Sequence, residues 1–121
     1  MSCRFTETHE WVRLEREVAT VGITDYAQGE LGDIVYVELP RLGAQLTAGS
    51  EACVLESTKS AADVYAPVSG QVVAINELLK EQVELINSDA EGSGWLFQLR
   101  LSKPDEFDQL MDEASYRRMV R

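Results

Sequence analysis

Short segments of alternating apolar and polar residues follow one another along most of the chain. Alternation with a period of two predicts β-strands that bury one face. Glycine, proline, asparagine or aspartate separates most of these segments, as turns between strands require. The predicted strands cover residues 11–14, 18–23, 33–39, 45–46, 51–55, 64–66, 71–75 and 95–101. Many short strands with frequent turns predict a mainly β barrel or sandwich.

The predicted strand at residues 33–39 differs from its neighbours because both of its faces are fairly apolar. Val35, Val37 and Leu39 alternate there with Ile34 and Tyr36. A strand that is apolar on both faces is typical of the centre of a sheet. We therefore expect this strand to be central.

Polar capping residues predict a few short helices. Thr24 precedes a helical turn that Gly32 would end, and Asn76 precedes a turn at residues 77–80. Ser102 is expected to cap a C-terminal helical segment at about residues 103–120. The apolar stripe of that segment, which predicts packing on the outside of the sheet, consists of Phe107, Leu110, Met111, Tyr116, Met119 and Val120. We expect one domain over residues 1–121, with its core at about residues 5–101.

A small, polar segment, Glu56 to Asp63, lies between two predicted strands and has a lysine near its middle. Lys59 is therefore expected at the tip of a hairpin, where a partner enzyme can reach its amine. The flanking carboxylates of Glu56 and Asp63 favour the charged ammonium, whereas Schiff-base and general-base lysines need desolvation or a neighbouring cation. This site suits acylation by an enzyme that brings an activated acid.

A weak internal repeat surrounds this hairpin. Gly43-Ala44-Gln45-Leu46 before it resembles Gly70-Gln71-Val72-Val73 after it. The similarity predicts two related halves that meet at Lys59.

The formal net charge is -10, from 11 lysines and arginines against 21 aspartates and glutamates. Such a charge repels phosphate backbones and acidic lipid headgroups, so nucleic acid is not expected as a partner. It favours docking on enzymes with basic surfaces. The sequence has no apolar run near the roughly 20 residues that a membrane-spanning helix needs, so no membrane association is expected either.

The two cysteines, Cys3 and Cys53, are too few and too unpatterned for a disulfide scaffold or a zinc site. Both are expected to remain thiols in a reducing compartment. Domain-like sequence begins by about Phe5, which leaves no room for a signal or transit peptide. We expect a cytoplasmic protein and a monomer.

No enzymatic signature occurs in the sequence. It has no phosphate-binding glycine loop, no nucleophile elbow and no metal-spaced pair of histidines or cysteines. Cys53 with His9, the single histidine, is the one conceivable thiol dyad, but the apolar strand around Cys53 favours a buried, unreactive thiol. A stand-alone thiol enzyme is kept as the alternative from the enzyme class.

The run Glu56-Ser57-Thr58-Lys59, with Asp63 and the Ala66-Pro67-Val68-Ser69-Gly70 that follows, resembles the lipoyl-attachment motif of the glycine cleavage system H-protein family. This sequence departs from the usual pattern at Thr58, where valine is common, and at Ser60, where alanine is common. Further landmarks of the family occur in order: His9–Val12, Val21–Ala27, Leu31–Val35, Val37–Pro40, Asn76–Glu77, Leu85–Asn87 and Gly94–Leu96.

The resemblance implies a barrel-sandwich hybrid of the lipoyl and biotinyl domain type, with its C-terminal helices outside. It implies a non-catalytic carrier with lipoate amide-linked to Lys59, in an attachment turn formed by Glu56, Ser57, Thr58 and Asp63. The carrier would shuttle an aminomethyl group from pyridoxal-phosphate glycine decarboxylase to a tetrahydrofolate-dependent aminomethyltransferase. Dihydrolipoamide dehydrogenase would reoxidise it, and a lipoate ligase or lipoyltransferase would attach the lipoyl group.

A thiol-bound aminomethyl group is reactive, so docking it against the protein would protect it from water. We hypothesise that Thr8 and Glu10, together with Asp63, contact the ammonium of the loaded arm.

Two other carrier functions are open. One is a lipoate relay that passes lipoyl groups to 2-oxoacid dehydrogenases. The other is a biotinyl carrier, which Thr58 and Ser60 disfavour because that family usually flanks its lysine with methionines.

Overall fold

Two antiparallel sheets make up most of the computed structural model, which describes residues 2–120. The larger sheet has six strands in the order β1-β2-β3-β9-β8-β5, and the smaller has three in the order β4-β6-β7. The strands are β1 (Ser2–Phe5), β2 (Glu10–Glu15), β3 (Val18–Ile23), β4 (Ile34–Glu38), β5 (Gln45–Leu46), β6 (Glu51–Ser57), β7 (Ala61–Tyr65), β8 (Gly70–Ile75) and β9 (Phe97–Leu101). The helices are α1 (Asp25–Leu31), α2 (Leu85–Ser88), α3 (Asp105–Asp108) and α4 (Glu113–Met119), and a 3₁₀ turn covers Glu77–Lys80.

The core lies between the two sheets and is filled by the inward residues of the alternating strands. Val12 and Val21 are register partners in β2 and β3, and both are fully buried. The same apolar cluster includes Leu55 and Val64 from the smaller sheet and Leu99 from β9 of the larger sheet. The mainly β prediction is therefore confirmed.

The prediction that β4 is central is wrong, because β4 is an edge strand that pairs with β6 alone. Val35 is 56% exposed and Tyr36 is 51% exposed, whereas Ile34 is buried. The register shifts between Ile34 and Tyr36, so Val35 has no partner in β6. Such irregularities are common at sheet edges, where they interrupt further pairing.

The two segments of the internal repeat lie side by side. β5 pairs with β8 so that Gln45 is opposite Gln71 and Leu46 is opposite Gly70. Two further backbone hydrogen bonds extend this pairing, from the Gly43 amide to the Val72 carbonyl and from the Val72 amide to the Ala44 carbonyl. The repeat thus joins the chain before the lysine hairpin to the chain after it.

Two of the three predicted caps are confirmed. The Thr24 hydroxyl accepts from the Ala27 amide at 3.2 Å, and the Asn76 side chain accepts from the Leu78 amide at 3.3 Å. Gly32 ends α1 with a positive φ of 85°. Ser102 does not cap a helix: its amide donates to the Ser69 carbonyl, and α3 begins three residues later without a side-chain cap.

Of the two C-terminal helices, α4 packs on the outside of the larger sheet, as predicted, whereas α3 contributes Phe107 to the main core. Tyr116 of α4 is buried, and its ring stacks on Phe5 of β1 with centroids 4.8 Å apart. Trp11 belongs to the same small cluster, while Phe107 of α3 joins the main core. Met119 is 42% exposed, so the predicted apolar stripe does not include it. None of the helices within residues 2–120 has the length and apolar character to span a membrane.

Candidate functional site

The lysine hairpin is tighter than the sequence indicates. The prediction of a turn over residues 56–63 is wrong, because β6 continues to Ser57 and β7 begins at Ala61, with Glu56 opposite Ala61. Three residues, Thr58, Lys59 and Ser60, form the tip, and all three are exposed. The small side chain of Ala61 is compatible with this close pairing.

Ser57 fixes the conformation of the tip. Its hydroxyl oxygen accepts from the Lys59 amide at 3.1 Å and from the Ser60 amide at 3.0 Å, and its own amide donates to the Ser60 carbonyl at 2.8 Å. Serine side chains commonly close turns in this way. A further hydrogen bond of 3.0 Å, from the Thr58 amide to the Asp33 carbonyl, ties the tip to the turn after α1. The hairpin therefore presents Lys59 from a well-defined backbone.

The Lys59 amine suits covalent attachment of a lipoyl group. Lys59 is exposed, and among residues 2–120 its amine forms no ion pair. Glu56 and Asp63 are exposed on either side and lie beyond ion-pair distance. An accessible amine on a fixed turn is what an acylating enzyme requires of its substrate, so the residues present fit the group.

A cavity of about 250 Å³ lies beside this hairpin. It brings together three residues that the sequence analysis assigned to arm docking: Thr8, Glu10 and Asp63. Glu56, Ser57, Thr58 and Lys59 do not line it. Its other walls come from α1, β3, β6 and β7 and from the turn before β2, and consist of His9, Ile23, Tyr26, Ala27, Glu30, Leu31, Leu55, Ala62 and Val64.

Glu10 is the chemically unusual residue of this cavity, because it is a carboxylate with only 2% exposure. One oxygen accepts hydrogen bonds from the hydroxyls of Thr6 and Thr8, the latter at 2.6 Å. The other oxygen accepts from the Tyr65 amide at 3.3 Å. Burial raises the pKa of Glu10, although these three donors act in the opposite direction. Within residues 2–120, Glu10 has no cationic partner in an ion pair.

The segment that carries Thr8 and Glu10 is held by groups that the sequence analysis did not assign to the site. His9 has a positive φ of 72°, which is uncommon for a non-glycine residue. The Nδ1 atom of His9 is 2.9 Å from the Tyr116 hydroxyl, which in turn is 2.6 Å from the Thr24 hydroxyl. The C-terminal helix therefore braces the cavity wall through a buried polar network.

Asn87 is a second residue whose structural role the sequence did not indicate. Its side-chain oxygen accepts from the Ile34 amide at 2.8 Å, and its nitrogen donates to the Gly32 carbonyl and to the Gln28 side chain at 3.0 and 2.9 Å. These bonds fix the turn that leads from α1 into β4. Asn87 lies in one of the family landmarks, but a landmark by itself specifies no contact.

A thiol active site has no support in this geometry. Cys53 is 2% exposed and belongs to the main core. Burial raises the pKa of its thiol, and the nearby Glu10 carboxylate adds to this effect, so the nucleophilic thiolate is strongly disfavoured. The described part of the chain holds no cluster of histidine, cysteine or acidic residues suited to a metal ion.

A larger groove, of about 470 Å³, runs across β4 toward the 3₁₀ turn. Tyr36, Leu39, Leu79 and Val83 are among its lining residues, but Lys59 and Glu10 are not. We therefore place the candidate site at the smaller cavity, where the buried carboxylate lies.

The two-sheet β fold, with one lysine displayed at a hairpin tip, defines the class: a barrel-sandwich hybrid of the lipoyl-domain type. A family model described as glycine cleavage H-protein matches residues 3–121. The chain belongs to the glycine cleavage H-protein family, which confirms the resemblance drawn from the Glu56–Lys59 motif.

Relatives and a solved structure agree with this assignment. The glycine cleavage system H protein of Beijerinckia indica is 54% identical over 118 residues, which is 98% of this chain and 95% of that protein. The protein of the same name from Thermotoga maritima is 52% identical over 113 residues, covering 93% and 91%. The crystal structure of a glycine cleavage system H protein from Mycobacterium marinum has a TM-score of 0.89 at 31% identity, covering 98% of this chain and 95% of that one.

Proposed function

We propose that this protein is the lipoyl-bearing carrier of a glycine cleavage system, with lipoate amide-linked to Lys59. One observation carries the proposal: the exposed Lys59 amine stands at a hairpin tip beside a cavity that contains a buried carboxylate. When bound, the lipoyl group would supply a disulfide that the glycine decarboxylase reaction opens by reduction, so that one sulfur receives the aminomethyl group derived from glycine and the other becomes a thiol. Glu56, Ser57, Thr58 and Asp63 form the turn that a lipoate ligase or lipoyltransferase would recognise.

In this proposal the chain is a substrate of other enzymes and catalyses nothing itself. Its partners are glycine decarboxylase, the aminomethyltransferase and dihydrolipoamide dehydrogenase. The net charge of -10 supports association with basic enzyme surfaces. We further propose that the protein acts as a monomer in the cytoplasm, which size-exclusion chromatography and cell fractionation would test.

Peptide mapping tests the attachment site directly. Trypsin cleaves after unmodified lysine but not after an acylated one, so an unmodified chain gives separate peptides 42–59 and 60–80. Protein isolated from lipoate-fed cells of its native host is expected to give one peptide, 42–80, with the mass of one lipoyl group added. If that peptide is never lipoylated in cells that express the glycine cleavage enzymes, the proposed function is wrong.

We also propose that Thr8, Glu10 and Asp63 receive the loaded end of the arm. Glu10 supports this because its carboxylate is removed from water and lacks a cationic partner in the described part of the chain. An ammonium that enters the cavity would stabilise the ionised carboxylate. The apolar walls formed by Ile23, Leu31 and Val64 would exclude water from the same space.

Glu10→Gln is expected to shorten the lifetime of the aminomethyl-loaded protein in buffer by about tenfold, because a hydrogen bond to a charged group contributes about 1.5–3 kcal/mol. Asp63→Asn is expected to shorten it by only about twofold, since an exposed acid is screened by solvent. The measurement is the rate of formaldehyde release from loaded protein. Glu7→Gln is the matched control, because Glu7 is an exposed acid next to Thr8 that neither lines the cavity nor belongs to the attachment turn.

Stability measurements separate this effect from unfolding. The folded-state pKa of Glu10 is raised. Its protonation therefore contributes favourably to the free energy of unfolding below the unfolded-state pKa, and this contribution is lost as pH rises through the folded-state pKa. Urea unfolding of Glu10→Gln should therefore show a smaller loss of stability with rising pH than the parent shows.

Loaded Glu10→Gln and Asp63→Asn proteins that persist as long as the parent would eliminate the docking proposal.

A further inference from the structure

The Lys59 side chain lies directly over Gly32. A Cβ atom built on Gly32 would be 2.8 Å from Lys59 Cε, 3.6 Å from Nζ and 3.8 Å from Cδ. The first of these distances is shorter than real Cβ contacts allow. The aliphatic stem of Lys59 therefore occupies space that is free only because residue 32 has no side chain.

Gly32 is also next to the cavity. It follows Leu31, the last residue of α1, and Leu31 lines the cavity together with Glu30. Ala62 and Asp63, which line the same cavity, belong to the strand that leaves the lysine hairpin. The end of α1 is thus close to the Lys59 side chain through Gly32 and forms part of the cavity wall through Glu30 and Leu31.

We propose that Gly32 positions the carrier arm: its missing side chain lets the Lys59 stem lie against the end of α1 and so directs the arm toward the cavity. This inference rests on the proposed function and adds to it a residue that acts through Lys59. Gly32 does not itself line the cavity.

The surface under Lys59 is fixed from two sides, so an obstruction there would move the lysine rather than the backbone. Asn87 donates to the Gly32 carbonyl at 3.0 Å and accepts from the Ile34 amide at 2.8 Å. From the other side, the Thr58 amide donates to the Asp33 carbonyl at 3.0 Å. Lys59 Cε, by contrast, is near the end of a flexible, exposed side chain.

Gly32→Ala is therefore expected to redirect the arm. The effect of placing alanine at a positive φ can be assessed separately with control variants. Gly32 has a φ of +85°, a conformation that alanine adopts only with strain. Gly43 and Gly49 have φ values of +85° and +89°, and a Cβ on either would meet no atom within 4 Å. Gly43→Ala and Gly49→Ala thus place alanine at a similar positive φ without an obstruction near Lys59.

The first test uses the unmodified protein, so it does not depend on lipoylation. The chain has three lysines, Lys59, Lys80 and Lys103, so a ¹³C-lysine-labelled sample gives few signals that can be resolved. The signal that disappears in Lys59→Arg belongs to Lys59. The parent, Gly43→Ala and Gly49→Ala are expected to show nuclear Overhauser contacts from the Lys59 ε-methylene to the Gly32 α-protons. In Gly32→Ala, contacts of this methylene to the residue 32 α-proton should be lost. Absence of the contacts in the parent, or their retention in Gly32→Ala, would overturn the proposal.

Asn87→Ala provides a second variant should Gly32→Ala not fold. It leaves Gly32 in place but removes the hydrogen bonds that hold its backbone. The contacts between Lys59 and Gly32 should weaken by at least half relative to the parent, and unchanged contacts would contradict the proposed fixed surface.

The second test uses the loaded protein. Gly32→Ala should be lipoylated to the same extent as the parent by peptide mapping, yet release formaldehyde at least threefold faster, while Gly43→Ala matches the parent. Equal release rates would overturn the inference. If the parent itself is never lipoylated, the proposed function fails, and the contacts in the unmodified protein still decide whether Gly32 orients Lys59.

Discussion

Gly70→Ala is expected to lower the free energy of unfolding by about 3 kcal/mol or more, the largest change that a single added methyl group should cause in this chain. A Cβ on Gly70 would lie 2.3 Å from the Arg100 carbonyl oxygen and 3.0 Å from its carbon. The obstacle is backbone of β9, which pairs with β8 so that Gly70 is opposite Leu101. Because no side chain can rotate away, the strands themselves must separate. Urea unfolding followed by fluorescence of Trp11 and Trp95 measures the change.

Gly29→Ala is the matched control, because it adds the same methyl group where there is room. Gly29 lies within α1 and is exposed, and its Cβ would meet no atom within 4 Å. Alanine in a helix is favoured over glycine by about 0.5–1 kcal/mol, so this variant should be slightly more stable than the parent. A Gly70→Ala protein with the stability of the parent would contradict the close strand approach described for β8 and β9.

Local patterns in the sequence were sufficient for most of the strands and for two helix caps. Alternation indicated the β2–β3 hairpin and β9, because Val12, Val21 and Leu99 of these strands enter the main core at alternating positions. Thr24 and Asn76 could be recognised as caps because capping is a contact between residues two or three positions apart. The weak repeat around Gly43 and Gly70 corresponds to the pairing of β5 with β8.

Structural features that depend on residues far apart in the chain could not be predicted from local sequence patterns. The apolar faces of β4 indicated a central strand, but the pattern does not reveal that no strand pairs beyond it and that Val35 and Tyr36 stay exposed. Ser102 is a residue type that often caps helices. Its amide instead donates to the Ser69 carbonyl in another part of the chain, and α3 begins only at Asp105, without a side-chain cap. Sheet order and long-range hydrogen bonds decide both cases, and neither is a local property.

In the candidate site, too, some residues could be predicted from the sequence, whereas those that depend on distant contacts could not. The motif identified Lys59, and the need to protect the loaded group from water suggested Thr8, Glu10 and Asp63 as docking candidates, all three of which line one cavity in the structure. The residues that hold this arrangement come from remote segments: Tyr116 contacts His9 across 107 positions, and Asn87 contacts Gly32 across 55. Single-sequence patterns carry no information about such pairs, so these supporting residues were missed.

Lys59→Arg is expected to abolish lipoyl attachment completely, and with it the function of the protein in glycine cleavage. Arginine keeps the positive charge and the exposed position, but its guanidinium is not acylated because it stays protonated. Intact mass of the variant from lipoate-fed cells should show no added lipoyl group. Lys80→Arg and Lys103→Arg are the matched controls, since both lysines are exposed and lie outside the hairpin, and both variants should be modified like the parent.

The same variant distinguishes glycine cleavage from lipoate relay. In a host that lacks its own copy of this protein, the parent should restore growth on glycine as nitrogen source, whereas Lys59→Arg should not. A carrier for glycine cleavage alone predicts that lipoylation of the 2-oxoacid dehydrogenase subunits is the same in both strains, because no lipoyl group leaves Lys59. A relay predicts that this lipoylation also falls when Lys59 is replaced. Growth of the Lys59→Arg strain at the rate of the parent would show that the protein does not act through a lipoyl group on Lys59.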